Sequence, residues 1–357
     1  MRNEIIVNSS SLEPFLFDGK WRTKGQLALS TAPKIIAEFG KWRRMIPVDG
    51  KEESVHSFIS RKYGPLIAEY FSAFCKGIYG VGSELLGANS IIPSLVQYEK
   101  KYGSVGLGMI CEKLMGKKES QVECVTGLYE EVKKKQVLWL KKGFSCFIDN
   151  LERYLISKNC AVELQTECKS ISESKDKIVV GDCEFDFVIS CLPLSILSNL
   201  IQYKSEFTPK ETSLSIIQAA YSSKPNVKDG FGYLCLDRIK SPIVGASFDF
   251  WRNQNSLSIF MPYSESDGML EKGLGVFKEQ TGCTEDPIYS RVVHAEKAFP
   301  LLSVGYADYV KNLKNFSDSK FRGKLLLAGP SMVGVGVPDC IKSGYLAIQS
   351  IKKQKEK

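Results

Sequence analysis

Apolar positions along the chain switch between helical and strand spacing, and the switches divide it into blocks. Leu66, Ile67, Tyr70, Phe71 and Phe74 mark one face of a helix whose first turn suits Pro65, in a helical region that opens at Val55. Further helices are expected over 33–42, 109–114 and 127–135, so residues 50–136 read as mostly helical. After 139–143, the spacing of Phe144, Phe147, Ile148, Leu151, Tyr154 and Leu155 predicts an amphipathic helix. Strand-like pieces are expected at 4–7, 14–17, 161–171, 178–180 and 184–190, with a helix beginning at or just after Pro193. From 213 to 263 the pattern is strand after strand, at 214–221, 231–236, 243–248 and 257–261. A helix over 269–280 and a strand at 288–293 complete what reads as the sheet of an α+β domain.

The stretch from Leu325 to Gln349 organises the rest. Leu325, Leu326, Leu327 and Ala328 are an apolar run suited to a strand buried on both faces, and Gly329, Gly334 and Gly336 break it into a turn. Pro338 fits the first turn of a helix, Asp339 puts a negative charge there, and Ile341, Tyr345, Ile348 and Ile351 recur at i, i+4, i+7 and i+10, so a helix is expected to follow at once. A strand, a glycine loop and a helix amide end make a place for an anion or a flat polar ring. A glycine-rich connection that only packs explains the same pattern.

Composition narrows the class. A chain of 357 residues with 43% hydrophobic positions is long enough for about two globular domains. The net charge of +8 is spread over short lysine clusters without aromatic or motif context, which argues for solvated surface and against nucleic acid. Such a basic skin also suits an anionic membrane surface or an acidic substrate. The 11 cysteines are scattered without a C-x-x-C pair, so they read as reduced thiols. With only two histidines, His56 and His294, a metal cluster or histidine triad has little to work with. No apolar run is long enough for a membrane span, so any membrane attachment is expected to be peripheral.

The segment AGPSMVGVGVPDCIKSG resembles the C-terminal signature of the oxygen-dependent protoporphyrinogen oxidase family, FAD-containing flavoproteins of haem biosynthesis. The stretches SVHSFISRKYG, KGIYGVGSELL and IIPSLVQYEKKYGS are similar to that family's helical membrane-binding domain. DFVISCLPLSIL resembles a strand and helix of its flavin domain. The implied fold is α/β plus α+β: an incomplete FAD-binding domain of the two-dinucleotide type, an α+β substrate domain with a mixed sheet, and a helical membrane-binding domain. The expected boundaries are 1–49 and 197–316 for the substrate domain, 50–136 for the helical domain, and 137–196 and 317–357 for parts of the FAD domain.

The resemblance also implies residues. Gly334, Val335, Gly336, Val337 and Pro338 would close the FAD site beside the isoalloxazine, with the last helix steadying charge on the ring. Cys168 would contact the adenine end through its main chain. Phe231, Leu234 and Met261 would hold the tetrapyrrole, and the backbone of Gly232 would meet a pyrrole N–H. A plain sheet core explains Leu234 and Met261 equally well. The implied reaction is hydride transfer from a bridging carbon of protoporphyrinogen IX to the flavin, with dioxygen as final acceptor, and no residue is assigned as acid or base. Peripheral binding to the mitochondrial inner membrane and a homodimer are family expectations.

Two departures stand beside the resemblance. A two-dinucleotide flavoprotein carries G-x-G-x-x-G after its first strand to hold the pyrophosphate. Here Gly106-Leu107-Gly108 lies in helical text and Gly230-Phe231-Gly232 opens a strand, so neither qualifies. The expectation is a chain lacking that first unit, with weak FAD affinity and an open apolar sheet edge. Pro14 stands where the family has an arginine for a propionate, and Ala307 replaces a family aromatic. The alternative reading is a non-catalytic truncated paralogue that binds a tetrapyrrole, a membrane or a protein partner. Membership of the wider amine-oxidase-like group is a third, which the central helical block and the VGVPDCI ending oppose.

Overall fold

A computed structural model describes residues 5–8, 15–22, 33, 51–115, 137–140, 143–250, 254–332 and 334–356. In chain order come β1 (Ile5–Asn8), β2 (Phe15–Phe17), β3 (Trp21–Arg22), α1 (Val55–Tyr63), α2 (Pro65–Tyr79), α3 (Ala88–Ile91), α4 (Pro93–Tyr102) and α5 (Val105–Leu114). Next are β4 (Val137–Leu140), α6 (Gly143–Ser157), β5 (Ile171–Ser174), β6 (Lys177–Val180), β7 (Cys183–Phe185), β8 (Val188–Ser190) and α7 (Leu194–Leu200). They are followed by β9 (Glu211–Ala220), β10 (Gly232–Cys235), β11 (Gly245–Phe248), β12 (Ser256–Pro262), α8 (Met269–Thr281) and β13 (Tyr289–Pro300). The last three are α9 (Tyr306–Lys320), β14 (Leu325–Leu327) and α10 (Val337–Lys355). The helices expected over 33–42 and 127–135 lie outside the described residues, Pro33 apart.

The chain forms two compact units, Met1–Glu13 with Met115–Cys168 and Pro14–Leu114 with Lys169–Lys357. In the first, β1 and β4 pair antiparallel, Ile5 opposite Leu140. The boundary between the two units falls after Cys168. Helix α6 forms where the periodicity predicts it, but Phe144, Ile148, Leu151, Tyr154 and Leu155 are all exposed, so its apolar face is not core. The strand expected at 161–171 is a correction: only Ile171 is in a strand. Residues 160–167 are exposed, and Asn159 (φ 59°) and Gln165 (φ 55°) turn the chain out of the extended region.

In the second unit, seven strands form one mixed sheet in the order β13-β9-β12-β11-β10-β2-β3. All its pairs are antiparallel except β10 with β2. Strict alternation puts Ile217, Ala219, Leu257, Ile259 and Met261 on the face under α8, where they pack with Tyr233, Phe248 and Phe277. The opposite face carries Leu234 against α2, and a methyl group at Gly77 would stand only 2.8 Å from Leu234. The strand run and the helix over 269–280 are thus where the pattern predicts them.

The helices from α1 to α5 also follow the sequence signals. Ser54 caps α1 by accepting the Ser57 N–H at 3.1 Å, and Pro65 and Pro93 open α2 and α4. Arg61 on α1 donates to both oxygens of Glu99 on α4, at 2.7 and 2.8 Å, while Lys62 Nζ lies 2.6 Å from Glu99 Oε1. Burial alone would raise the Glu99 carboxyl, but the hydrogen bonds from Arg61 and Lys62 prevail and hold it below the ordinary carboxylate value.

Three findings concern the remaining part. The strand expected at 184–190 is two strands in two sheets: β7 ends the antiparallel meander β5-β6-β7, and β8 pairs in parallel with β14. Helix α9 was not expected, because its inward positions are Tyr306, Tyr309, Leu313 and Ser317, too polar to stand out as an apolar stripe. On α10, Ile341, Tyr345 and Ile348 are exposed and Ser343 and Ala347 are buried. Close packing of this helix on the β14 loop selects small side chains and turns the apolar stripe outward.

Candidate functional site

The loop after β14 is fixed at both ends. Gly329 adopts φ 94°, open to glycine and strained for other residues, and donates its N–H to Ser343 Oγ at 2.8 Å. Ser343 in turn donates to the Cys340 carbonyl at 2.7 Å. From α9, the Tyr306 hydroxyl donates to the Ser331 carbonyl at 3.1 Å. Burial pushes that hydroxyl up to about 12, so it stays a proton donor across the working range. A small cavity of about 80 Å³ lies beside Tyr306, Pro330 and Ser331, reached also by Cys191, Lys297 and Phe299.

Between these anchors the site residues stay open. Gly334, Val335 and Gly336 are half-buried, and Val337 and Pro338 are exposed. Gly336 is the N-cap of α10 with no side chain bonded to it, and Pro338 has no N–H, so the amides at the helix start belong to Val337 and Asp339. Asp339 folds back over the loop: a methyl group at Gly334 would stand 2.5 Å from its Oδ2, so a larger residue there would push the carboxylate aside. That carboxylate offsets the amide end of the helix, so a fully anionic ligand gains less here than the loop pattern suggests, and a polar ring with carbonyl oxygens fits better. Tyr79, at the end of α2, also belongs to this neighbourhood. Burial raises its hydroxyl, with the Cys75 and Asp339 charges adding to the effect.

The expected tetrapyrrole residues divide. Phe231 has an exposed side chain, and its carbonyl accepts the Phe248 N–H at 2.8 Å. Gly232 is buried at φ 141°, where a methyl group would stand 2.0 Å from the Ala246 carbonyl oxygen, so it permits the close approach of β10 and β11. Leu234 is half-buried on the α2 face. Met261, expected beside it, is 4% exposed in the core under α8, on the other face of the sheet. The structure therefore does not bring Leu234 and Met261 together. Cys168 is half-buried in the other unit.

Sequence reasoning missed Tyr79, Tyr306 and Ser343. Ser343 and Tyr306 act by single hydrogen bonds to backbone groups, which leave no periodic trace, and Tyr79 reads as the last residue of an ordinary helix. Among the described residues no cluster of histidine, cysteine or carboxylate side chains could hold a metal ion.

Comparison with known proteins adds a family. The sequence profile described as flavin containing amine oxidoreductase matches residues 3–227. Human protoporphyrinogen oxidase is 26% identical over 350 residues, covering 87% of this chain and 71% of the human protein. Coproporphyrinogen III oxidase of Staphylococcus aureus is 23% identical over 358 residues, covering 90% of this chain and 74% of that one. Among solved structures, a candidate protoporphyrinogen oxidase of Exiguobacterium sp. 255-15 shares the fold with a TM-score of 0.71 at 17% identity, over 99% of this chain and 82% of that one.

Proposed function

The chain belongs to the flavin-containing amine oxidoreductase family, and from that premise we propose that it oxidises a porphyrinogen, with protoporphyrinogen IX as the substrate. It is an FAD-dependent oxidoreductase by family. The observation that carries the finer reading is the open, uncapped start of α10 beside Gly334, Val335 and Gly336, in a chain 26% identical to human protoporphyrinogen oxidase over 87% of its length.

The residues present fit the ring end of FAD: two free-facing helix amides, a loop without bulky side chains, and Asp339 disfavouring excess negative charge. Held beside Gly334, Val335 and Gly336, FAD would supply the acceptor for the substrate's hydride, with dioxygen as the final oxidant. The protein's share is to orient two flat reactants and keep water out, which needs no histidine. Val337 and Asp339 would present their amides to the ring, and Tyr306 and Ser343 hold the loop that carries them. Phe231, with Gly232 and Leu234, would border the tetrapyrrole; Met261 would act only by shaping the sheet from its far face. The role of Cys168 at the adenine end rests on the resemblance alone.

Peripheral attachment to a membrane, the mitochondrial inner membrane by family resemblance, belongs to the same reading. Among the described residues no helix is long and apolar enough to cross a membrane. Met109, Ile110 and Leu114 on α5 are exposed close in sequence to Lys113, a combination suited to an anionic lipid surface. Vesicle flotation with phosphatidylserine tests this: a chain that stays in the soluble fraction at low salt refutes it.

The second reading, a tetrapyrrole-binding protein without turnover, is favoured by Pro14 at the position where the resemblance implies a carboxylate-binding arginine. One experiment separates the two. Purified chain is mixed with FAD and protoporphyrinogen IX without oxygen, air is admitted, and porphyrin fluorescence and peroxide are followed. FAD-dependent porphyrin formation above the autoxidation rate supports the oxidase. Tight porphyrin binding with no acceleration overturns it in favour of the binding protein.

A further inference from the structure

We infer that Arg291 receives a carboxylate side arm of the tetrapyrrole, on the face of the seven-stranded sheet opposite α8. The strand register carries the assignment. Val292 packs with Ile217 and Met261 on the α8 side, so the alternating positions Arg291, Gln218 and Phe260 lie on the other face, the one that carries Leu234. Two rows run side by side across that face. The ladders pair Leu234 with Gly245, Gly245 with Phe260, Phe260 with Ile216 and Ile216 with Val293, which makes an apolar row. They pair Ser247 with Ser258, Ser258 with Gln218 and Gln218 with Arg291, which makes a polar row about 7 Å farther along the strands.

The two rows suit different parts of one ligand. Leu234, Phe260, Ile216 and Val293 are half-buried and offer apolar surface to a ring. Between Leu234 and Phe260 the row is flat, because a methyl group at Gly245 would stand 2.1 Å from the Tyr233 carbonyl oxygen and only glycine fits. In the polar row Arg291 Nε donates to Gln218 Oε1 at 2.8 Å. That bond orients the guanidinium and leaves the two terminal nitrogens of its fork for a carboxylate. Among the described residues Arg291 forms no ion pair, and the Ser247 and Ser258 hydroxyls bond no protein group. The carboxylate of Asp249, two residues beyond Ser247, accepts the Ser256 hydroxyl at 2.8 Å and lies three strand spacings from Arg291, about 14 Å, too far to neutralise it.

The order of the rows fixes which way the ligand lies. Along β9 the same face carries Thr212, Leu214, Ile216 and Gln218, and a methyl group at Gly80 would stand 3.0 Å from Thr212 Cγ2. Gly80 follows Tyr79, which feels the charge of Asp339 on the glycine loop. Loop, apolar row and polar row therefore succeed one another along β9, with about 20 Å from Thr212 to Gln218 at the rise of a strand. A porphyrinogen set over the apolar row turns its reacting edge to the loop and a carboxylate to Arg291. The role of Arg291 rests on the tetrapyrrole reading, in its oxidase or its binding form.

The test titrates the full chain, without FAD, with protoporphyrin IX and with its dimethyl ester, following porphyrin fluorescence. Both probes keep the ring, and only the first keeps the carboxylates. Tighter binding of the free acid, weakened about tenfold or more by Arg291→Gln while the affinity for the ester is unchanged, supports the proposal. Lys272→Gln, which removes an exposed cation on α8 across the sheet, controls for general surface charge and leaves both affinities unchanged. An affinity for the acid that Arg291→Gln leaves intact overturns the role of Arg291 and spares the tetrapyrrole reading. An equal loss for acid and ester also overturns it, because Arg291 then serves the sheet and not the ligand. Failure of the unaltered chain to bind either probe overturns both.

Discussion

The backbone N–H of Gly329 is held by the hydroxyl of Ser343 at 2.8 Å, and this one bond ties the turn after β14 to the helix whose start forms the candidate site. Ser343 is 3% exposed, so its replacement leaves a buried donor with no water to turn to. Ser343→Ala is expected to lower stability by about 1–3 kcal/mol, the penalty of an unsatisfied buried N–H. Thermal unfolding of the two proteins checks it, and an unchanged midpoint would mean that the loop finds another acceptor.

The ion cluster between α1 and α4 should respond to acid. Glu99 is lowered in the folded chain relative to the unfolded one, so its contribution is fully present above the unfolded carboxylate value and is lost as pH falls through the lower, folded value. Glu99→Gln removes the carboxylate that faces the buried Lys62, while Arg61 keeps its ion pair with Glu53, and is expected to cost about 3 kcal/mol at neutral pH. Urea unfolding at several pH values should show the difference between wild type and variant narrowing toward strongly acidic pH. A constant difference would contradict the linkage.

Cysteine reactivity should follow burial. Burial pushes the Cys75 thiol up to about 12 and the Cys235 thiol up to about 11, whereas Cys160 and Cys183 are exposed. Brief iodoacetamide treatment at pH 8 followed by peptide mass spectrometry should label Cys160 and Cys183 and spare Cys75 and Cys235 until denaturant is added.

Gly232→Ala should be far more damaging than a surface glycine replacement. The new methyl group would meet the Ala246 carbonyl oxygen at 2.0 Å, so β10 and β11 would have to part. A loss of about 2–4 kcal/mol is expected, whereas Gly275→Ala, in the exposed interior of α8 where the added group meets open space, should leave stability unchanged or raise it by up to about 1 kcal/mol. Denaturant midpoints of both variants make the comparison.

Much of the fold was legible in the sequence where one face of an element is buried and the other is wet. The alternation at Ile217, Ala219, Leu257 and Ile259 and the prolines that open α2, α4 and α10 are of that kind. Legibility failed where backbone contacts decide. The apolar stripe of Ile341, Tyr345 and Ile348 announced helix α10, but not that the close loop turns Ser343 and Ala347 inward and leaves the stripe exposed. Met261 has the spacing of a strand residue, and spacing alone does not say which face of the sheet looks toward a ligand. At the site, glycine at 334 and 336 announced the loop, but the hydroxyls that hold it, on Tyr306 and Ser343, carry no signal in hydrophobic periodicity.

Amide hydrogen exchange around the start of α10 bears most directly on the flavin account. With saturating FAD, the amides of Val337 and Asp339 should exchange more slowly than in the free chain, and ADP, which lacks the ring, should leave them unchanged. Equal protection by ADP and FAD, or protection by FAD confined to other segments, would contradict the placement of the ring at this loop.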